Sequence, residues 1–283
     1  MKALACQLPR ESGVPLSKWS GPDLKREVIK RGIVASIAET TIWRWLSEDA
    51  IKPWQHKTWI FPRDPKFAEK AGPILDLYAG QWQGKPLGDS DYVISTDEKT
   101  SIQARKRIHE TTPTKPKRPM RVEHEYERKG AWAYLAAWDV RRAKVFGRCE
   151  RKTGLVPFAR LVRQVMIQEP YHSARRVFWI MDNGSSHRGA RSDARLARFW
   201  PTIVPVHTPV HASWLNQVEI YFSIIQAKVL TPNDFASLEI VERRLLEFQT
   251  YYETVAHPFE WKFTREDLAK LMDKLSRIER KNS

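Results

Sequence analysis

Two short apolar runs in the chain each end on an aspartate. Residues 177–181 are continuously apolar, too few for a free-standing helix but suited to a strand buried on both faces, and the run stops at Asp182. Residues 92–96 form a second short apolar strand that ends at Asp97, followed by Glu98. Open α/β sheets place ligands at the carboxyl ends of strands, so both aspartates are candidate site residues. For Asp182 alone, a plain turn or helix cap is the alternative.

An amphipathic helix is predicted over residues 211–230. Its apolar positions recur at steps of three and four, the spacing of a buried helical stripe: Leu215, Val218, Phe222, Ile225 and Val229. Glu219 lies beside this stripe, on a flank shared with Asn216 and Ser223. It is a third candidate carboxylate, although glutamate is also common at the boundary of a solvated helix face.

The rest of the chain from residue 91 onward predicts a mixed α/β sheet with flanking helices. A strand near 122–126 and strands over 131–140 and 143–150 would form an antiparallel meander. Helices and strands then alternate, with helices over 157–167 and 190–199, a strand over 203–206, and tail helices over 237–252 and 264–280.

A small all-helical domain is predicted over residues 1–65. Its first helix stops at Gly32, and its second begins at a capping box formed by Ser36 and Glu39. Two short helices joined by a turn containing glycine are typical of a helix-turn-helix. The predicted buried side of the second helix consists of Ile42, Trp45 and Leu46.

The outward side chains of this second helix are candidates for contact with DNA bases and phosphates: Thr40, Thr41, Arg44 and Ser47. The next segment mixes Lys52 and Lys57 with tryptophans and prolines, which is typical of a wing or linker along DNA. The alternatives are that the helices pack with no DNA role and that the aromatic residues belong to the small domain's core. Residues 66–90, with a predicted helix followed by glycine and proline, form a linker.

Residues 105–121 contain seven basic side chains and cannot bury an apolar face. They predict either an exposed arm that contacts DNA or another subunit, or a plain solvated loop. The whole chain is basic as well: 283 residues carry 48 Lys and Arg against 33 Asp and Glu, a formal net charge of +15. This balance favours a protein that binds the phosphate backbone of nucleic acid.

The sequence excludes several other classes of protein. It contains no apolar run near the roughly 18 residues that span a bilayer and no signal peptide, so an intracellular protein without membrane contact is expected. Its two cysteines, Cys6 and Cys149, have no paired spacing and predict neither a disulfide framework nor a zinc site.

Two aspartates and a helical glutamate are the ligands that a pair of Mg²⁺ ions needs. Mg²⁺ takes oxygen ligands in near-octahedral geometry and keeps several waters, so a few carboxylates suffice. Two such ions, about 4 Å apart, can hold the attacking and leaving oxygens of a phosphoryl transfer. The sequence therefore predicts that Asp97, Asp182 and Glu219 form a catalytic metal site.

Three segments resemble the catalytic motifs of DDE transposases of the mariner superfamily, specifically the bacterial insertion sequence 630 type: STDEKTSIQAR, MDNGSSHRG and HTPVHASWLNQVEIYFSIIQAKVLTPNDF. The family's three acids fall on Asp97, Asp182 and Glu219, and the last two are 219 − 182 = 37 positions apart, within the family's range. The resemblance extends over nearly the whole chain. It implies a ribonuclease H-like core that cuts and joins DNA.

This resemblance implies a detailed function. The chain would bind the terminal inverted repeats of an insertion sequence and move it by cut-and-paste strand cleavage and strand transfer, into TA targets. Asp97 would bridge two Mg²⁺ ions, with Asp182 and Glu219 each completing one of them, and Mn²⁺ can substitute. Double-stranded DNA is the expected partner, a homodimer the expected form in the DNA complex, and the bacterial cytoplasm at the nucleoid the expected location.

Several polar residues flank the three acids. For the histidines and asparagines among them we expect supporting or plain structural positions, holding waters or phosphate oxygens, since Mg²⁺ prefers carboxylates: Asn183, His187, His207, His211 and Asn216. Glu98 is excluded because a continuing strand would point it away from Asp97.

The resulting domain prediction is a helix-turn-helix domain over 1–65, a linker over 66–90, a catalytic domain over 91–258 and a helical tail over 259–283. Relatives commonly carry a further helix-turn-helix at the amino end, for which residues 1–17 are too few. A truncated remnant that binds repeat ends without cutting is therefore the alternative function. A host nuclease of the ribonuclease H-like fold, indifferent to repeat sequence, is a third.

Overall fold

The structure is a computed structural model that describes residues 1–56, 62, 64–184 and 189–282. It divides into two compact units, Met1–Phe61 and Pro62–Ser283. The finer division of the chain into four parts remains a prediction. Among the described residues, no helix is both long enough and apolar enough to cross a membrane.

The first unit consists of short helices around one apolar core. Its elements are α1 (Lys2–Ala5), a 3-10 turn (Pro9–Ser12), α2 (Gly21–Lys30) and α3 (Glu39–Glu48). Ser20 caps α2 by accepting a hydrogen bond from the amide of Asp23 at 3.2 Å, and the helix ends just before Gly32, whose φ is +65°. The core is formed by Leu4, Trp19, Leu24, Val28, Ile42 and Leu46.

The start of α3 differs from the prediction. The expected capping box at Ser36 is wrong, because the helix begins at Glu39 with Ala38 as its N-cap and no side chain caps it. Residues 31–38 connect the two helices, a longer connection than the three or four residues typical of a helix-turn-helix. The helix-turn-helix therefore stays a prediction. Ile42 and Leu46 are buried as expected, whereas Trp45 is half-buried.

The second unit is built on a five-stranded mixed sheet in the order β5-β4-β3-β6-β7. Its strands are β3 (Asp91–Lys106), β4 (Glu127–Asp139), β5 (Lys144–Glu150), β6 (Arg176–Met181) and β7 (Ile203–His207). Strands β3, β4 and β5 are antiparallel neighbours, while β6 is parallel to both β3 and β7. A two-stranded ribbon of β1 (Gln81–Trp82) and β2 (Lys85–Pro86) precedes the sheet.

Helices cover both faces of the sheet, which confirms the predicted mixed sheet with flanking helices. They are α4 (Phe67–Tyr78), α5 (Leu155–Met166), α6 (Ala190–Phe199), α7 (Val218–Lys228), α8 (Leu238–Glu253) and α9 (Arg265–Asn282). Side chains alternate across each strand, so Val93 packs in the cluster that contains α7 and α8, and Ile94 packs in the cluster that contains α5. The sheet therefore separates two apolar clusters.

Two strand predictions were wrong, one in its end point and one in its existence. Strand β3 does not stop at Asp97, because β4 pairs with it from Ile94 as far as Lys106. The strand expected near 122–126 is absent from the described structure. There the guanidinium of Arg107 donates to the carbonyl oxygens of Glu123 at 2.6 Å and His124 at 2.9 Å. These backbone acceptors are therefore not used for pairing with a neighbouring strand.

The predicted arm begins later than expected and is exposed. Arg105 and Lys106 belong to β3, and residues 112–120 are exposed. Paired bridges join Thr112 to Arg121 and Lys115 to Arg118, so the arm folds back on itself as a narrow hairpin.

Gly147 provides a test of packing in the sheet. A methyl group at this position would overlap the hydroxyl and ring of the fully buried Tyr134, with its Cε2 at 2.8 Å. We predict that Gly147→Ala lowers the free energy of unfolding by about 1–3 kcal/mol in urea denaturation, the usual cost of overpacking. Adding Tyr134→Phe should restore part of that loss. Gly88→Ala, where the nearest atom is at 3.7 Å, is the control and should be near neutral; equal losses at both glycines would contradict the prediction.

Candidate active site

The register of two parallel strands brings Asp97 and Asp182 together. Ser95 of β3 is level with Ile180 of β6, and each aspartate lies two residues further along its chain. Continuing the register therefore places the two aspartates side by side on neighbouring strands, which are about 4.8 Å apart. Asp97 is inside its strand, not at its end, but it occupies the level at which β6 stops.

The carboxylate of Asp97 is largely removed from water. It accepts a hydrogen bond from the amide of Glu98 at 2.8 Å and another from the Nδ2 of Asn216 at 3.4 Å. Burial, with the negative charges of Asp182 and Glu219, raises the pKa of Asp97 to about 7, against the opposing effect of the Glu98 amide. The three predicted acids thus lie close enough to influence one another electrostatically.

Asp182 both begins a turn and faces the site. Its Oδ1 accepts a hydrogen bond from the amide of Gly184 at 2.8 Å, while Asn183 donates from Nδ2 to the carbonyl oxygen of Thr208 at 2.6 Å. The turn interpretation and the site interpretation of this aspartate are therefore compatible. Asn183 connects the end of β6 to the segment after β7.

Glu219 lies in the first turn of α7. The predicted helix over 211–230 is shorter than expected, because a 3-10 turn, Ser213–Leu215, precedes α7 and Asn216 breaks the helical path with ψ 109°. Burial raises the pKa of Glu219; Lys99 acts in the opposite direction, and Asp182 raises it further. The buried side of the helix was predicted correctly at Val218, Phe222 and Ile225.

Asn216 is buried against β3 and does not share a helix flank with Glu219. It accepts a hydrogen bond from the hydroxyl of Ser95 and donates from Nδ2 to the carbonyl oxygen of Thr96 at 2.8 Å. The hydroxyl oxygen of Ser95 in turn accepts from the amide of Val218 at 2.9 Å. These bonds fasten the start of α7 to the strand that carries Asp97, and so fix where Glu219 can lie.

Helix α4 and the residues just before it hold the segment that leads into α7. Tyr78, at the end of α4, donates to the carbonyl oxygen of Leu215 at 2.7 Å and accepts from the amide of Gln217 at 3.3 Å. Ahead of the helix, buried Asp64 accepts from the amide of Val210 at 3.0 Å and from the Nζ of Lys70 at 2.7 Å. Although burial alone raises it, these bonds lower the pKa of Asp64 to about 2.

The other predicted site residues are dispersed. His207 pairs through Nε2 with Asp193 of α6 at 2.9 Å, and His211 is exposed with φ +60°. In the first unit Thr40, Arg44, Ser47 and Lys52 are exposed and Thr41 is half-buried. His187 and Lys57 lie outside the described residues.

Four residues around the site were missed by the sequence analysis: Asp64, Tyr78, Ser95 and Lys99. Lys99 had a signal, since it lies two positions after Asp97 and so faces the same side of an extended strand. Tyr78 had none, because it bonds to Leu215, 137 residues away in the chain.

The three acids suit a hard divalent cation by their chemistry, since all offer carboxylate oxygens. Across residues 1–56, 64–184 and 189–282, however, no group of three or more His, Cys, Asp or Glu side chains is arranged to hold a metal ion.

Comparison with known proteins agrees with this architecture. The family model described as DDE superfamily endonuclease matches residues 92–242. No curated protein matches the sequence. Solved structures similar to the chain include the Mos1 mariner paired-end complex with Mn, at TM-score 0.55 and 14% identity over 84% of this chain and 73% of that one. The Mos1 paired-end complex with Mg gives 0.51 and 12% over 94% and 79%.

A third similar structure, the Mos1 strand transfer complex, gives TM-score 0.53 and 12% identity over 98% of this chain and 76% of that one. At such identities the similarity shows the fold, which matches the ribonuclease H-like fold of DDE transposases as the sequence predicted.

The raised pKa of Asp97 makes stability depend on pH. Folded protein retains a proton on Asp97 up to about pH 7, whereas an unfolded aspartate loses it near pH 4. The stabilisation is complete below about pH 4 and is lost as the pH rises through 7. In EDTA we predict that the free energy of unfolding falls by roughly 1 kcal/mol per pH unit between pH 5 and 7, and that Asp97→Asn removes this fall.

Urea denaturation at several pH values checks this dependence, and the exposed Asp89→Asn serves as its control. A wild-type slope that Asp97→Asn leaves unchanged would contradict the assigned environment of Asp97.

The contact between Tyr78 and the segment before α7 can be tested separately. Tyr78→Phe leaves the buried carbonyl of Leu215 and the amide of Gln217 without their partner, so we predict a loss of about 1–2 kcal/mol in unfolding free energy. The Gln217 amide should also exchange with deuterium faster. Tyr251→Phe removes a hydroxyl from a side chain that is 61% exposed and should change neither measurement. Unchanged exchange at Gln217 in Tyr78→Phe would argue against the contact.

Proposed function

The chain belongs to the DDE superfamily endonuclease family, and we propose that it is a transposase in which Asp97, Asp182 and Glu219 cut and join DNA. One observation carries the proposal: burial and the charges of Asp182, at the end of the adjacent parallel strand, and Glu219, on a helix fastened to β3, together raise the pKa of Asp97. Closely placed acids are unfavourable for the fold itself, which favours a functional reason for their position.

We further assign the chain to the insertion sequence 630 type of the mariner superfamily. Three sequence motifs support this, at Asp97, at Asp182 and around Glu219. On this basis it binds terminal inverted repeats and moves its element by cut-and-paste into TA targets. The solved structures named for Mos1 paired-end and strand transfer complexes support the same class of reaction.

Asp97, Asp182 and Glu219 are the residues that would hold two Mg²⁺ ions, for which Mn²⁺ can substitute. The similar Mos1 structures named as containing Mn and Mg support this choice. When bound, such ions activate a nucleophilic oxygen and stabilise the oxygen that leaves the phosphate. No covalent intermediate on the protein is needed.

The chain's own residues prepare this site. Asp97 must give up its proton to serve as a ligand, so a cation competes with the proton that burial favours, and cation binding should weaken as the pH falls below about 7. Asn216 donates to a carboxylate oxygen of Asp97 and to the backbone of Thr96, which limits how that carboxylate can turn. Lys99 offsets part of the negative charge around Glu219.

Recognition of the repeats is assigned to the first unit. The candidate contacts are Thr40, Thr41, Arg44, Ser47, Lys52 and Lys57. Four of them are exposed and so accessible to DNA: Thr40, Arg44, Ser47 and Lys52. A homodimer on paired ends, in the bacterial cytoplasm at the nucleoid, completes the proposal. The exposed hairpin between Thr112 and Arg121 is available for contact with DNA or the second subunit.

Conservative amide variants test the assignment. We predict that Asp97→Asn, Asp182→Asn and Glu219→Gln each reduce Mg²⁺-dependent cleavage of a duplex carrying the element's inverted repeat by at least about a hundredfold, because each loses a charged metal ligand. Strand breaks are mapped by gel, and binding is measured by mobility shift. Binding should change by less than about threefold. Asp89→Asn, an exposed acid outside the site, should cut like the wild type.

The possible results separate the alternatives. A variant of any of the three acids that still cuts at the repeat boundary would overturn the catalytic assignment. Wild-type protein that binds the repeat but never cuts it would make the chain a DNA-binding remnant. Cutting that ignores the repeat sequence would instead indicate a host nuclease.

A further inference from the structure

The far half of β3 has one edge that no strand pairs with in the described part of the chain. Residues 233–235 cover part of this edge, with the amide of Phe235 donating to the carbonyl oxygen of Arg105 at 3.0 Å and the amide of Arg105 donating to Oδ1 of Asn233 at 3.1 Å. Strand β6 pairs with β3 only from Asp91 to Ser95, and in the described part of the chain no other strand takes over that side. The pairing with β4 is also irregular there, with a register shift between Lys99 and Ile102 and a φ of +59° at Ser101. This irregularity bends β3 just beyond the level of the three acids.

A cleft of about 690 Å³ follows this stretch of β3. Its walls come from β3, from the residues before β4 and from the segment after α7, and include Lys99, Gln103, Arg105, Tyr126, Gln226 and Asn233. Lys99 lies two residues after Asp97 on the same strand, before the register shift, so both side chains point to one face. The cleft therefore starts beside the candidate active site and leads away from it.

The cleft carries positive side chains that the protein neutralises only in part, since Lys99 offsets some of the negative charge around Glu219. Among the described residues, neither Lys99 nor Arg105 forms an ion pair, and Arg105 has one side-chain hydrogen bond, from Nε to Gln103 at 3.3 Å. The carboxylate of Glu123, also in the lining, is occupied by the amides of Ile108 and His109, each at 2.8 Å. Arg105 thus remains available to an anionic ligand, and Lys99 adds positive charge at the end of the cleft nearest to Glu219.

Arg107 has a structural role in the cleft, unlike Arg105. Its guanidinium donates to carbonyl oxygens on both walls, including those of Asn233 at 3.0 Å and Glu123 at 2.6 Å. Arg105 and Arg107 both lie over the ring of Tyr126, at 4.7 and 4.9 Å from its centre. Arg107 and Tyr126 therefore fix the shape of the cleft, and Tyr126 holds Arg105 in position at its rim.

These features select an elongated anion with hydrogen-bonding groups. A cleft of this volume has the capacity of an ordinary small-ligand site, far less than a duplex would fill. Positive side chains spread along an extended strand match phosphates in sequence along a nucleic-acid backbone. The amides of Gln103 and Gln226 in the lining can hydrogen-bond to unpaired bases.

We propose that this cleft binds a short stretch of single-stranded DNA that continues from the bond being cut. This inference rests on the proposed DNA-cutting function and adds to it a place for one separated strand, with Arg105 as a phosphate contact. Separation of the strands next to the cut would then be stabilised by the protein.

Binding without cleavage tests the cleft independently of catalysis. Full-length protein in EDTA is titrated by fluorescence anisotropy against a blunt repeat duplex and against the same duplex with a short 3′ single-stranded extension. We predict that Arg105→Gln weakens binding of the extended DNA by about two- to fivefold, the size expected for one exposed ion pair, and leaves the blunt duplex unchanged. The salt dependence for the extended DNA should decrease by about 0.7 in log–log slope.

Two matched variants complete the experiment. Arg105→Lys keeps the charge and should retain most of the affinity for the extended DNA, which also shows that the cleft still folds. Arg163→Gln removes an exposed arginine on α5, outside the cleft, and should affect neither DNA. Equal weakening on both DNAs, no weakening by Arg105→Gln, or the same effect from Arg163→Gln would overturn the proposal. Failure of the wild type to cut DNA would leave these binding results valid.

Discussion

The buried hydrogen bonds between Asn216, Ser95 and the start of α7 are the interaction on which the rest of the site depends. Asn216 is fully buried and bonds to both Ser95 and the carbonyl of Thr96, and Ser95 accepts from the amide of Val218. Because these partners are more than 100 residues apart in the chain, the bonds exist only where the start of α7 packs against β3. Once formed, they place Glu219 beside the strand that carries Asp97. Tyr78 supports the same segment from α4, so the helix before the sheet also contributes to the position of the acid.

The fold thereby holds three acids close together, although burial and mutual repulsion make their charged forms unfavourable. Asp97 is taken out of water beside Asp182 and Glu219, and its raised pKa records both effects. A divalent cation would offset this repulsion, since it stabilises the charged form of each acid. Two adjacent parallel strands position the aspartates, and a separately anchored helix positions the glutamate.

The sequence predicted those parts of the molecule that local pattern determines. Residues 177–181 and 190–199 became β6 and α6 at the expected positions, because continuous apolar runs and helical periodicity identify buried elements. The end of β3 could not be predicted, since pairing with β4 extends the strand through polar residues such as Lys99 and Gln103. The shortened α7 depends on where the Asn216 side chain finds partners, and no local pattern contains that information. For the site, the motifs selected the three acids, while their supports Tyr78 and Asp64 depend on contacts distant in sequence.

The central claim is that Asp97, Asp182 and Glu219 form one divalent metal site. Affinity cleavage tests it most directly: Fe²⁺ replaces Mg²⁺, ascorbate and peroxide generate radicals at the bound iron, and mass spectrometry locates cuts in the polypeptide. The account predicts cuts close to all three positions, which lie far apart in sequence, and their suppression by excess Mg²⁺. Cuts near only one of the three acids, or cuts that Mg²⁺ does not suppress, would contradict it.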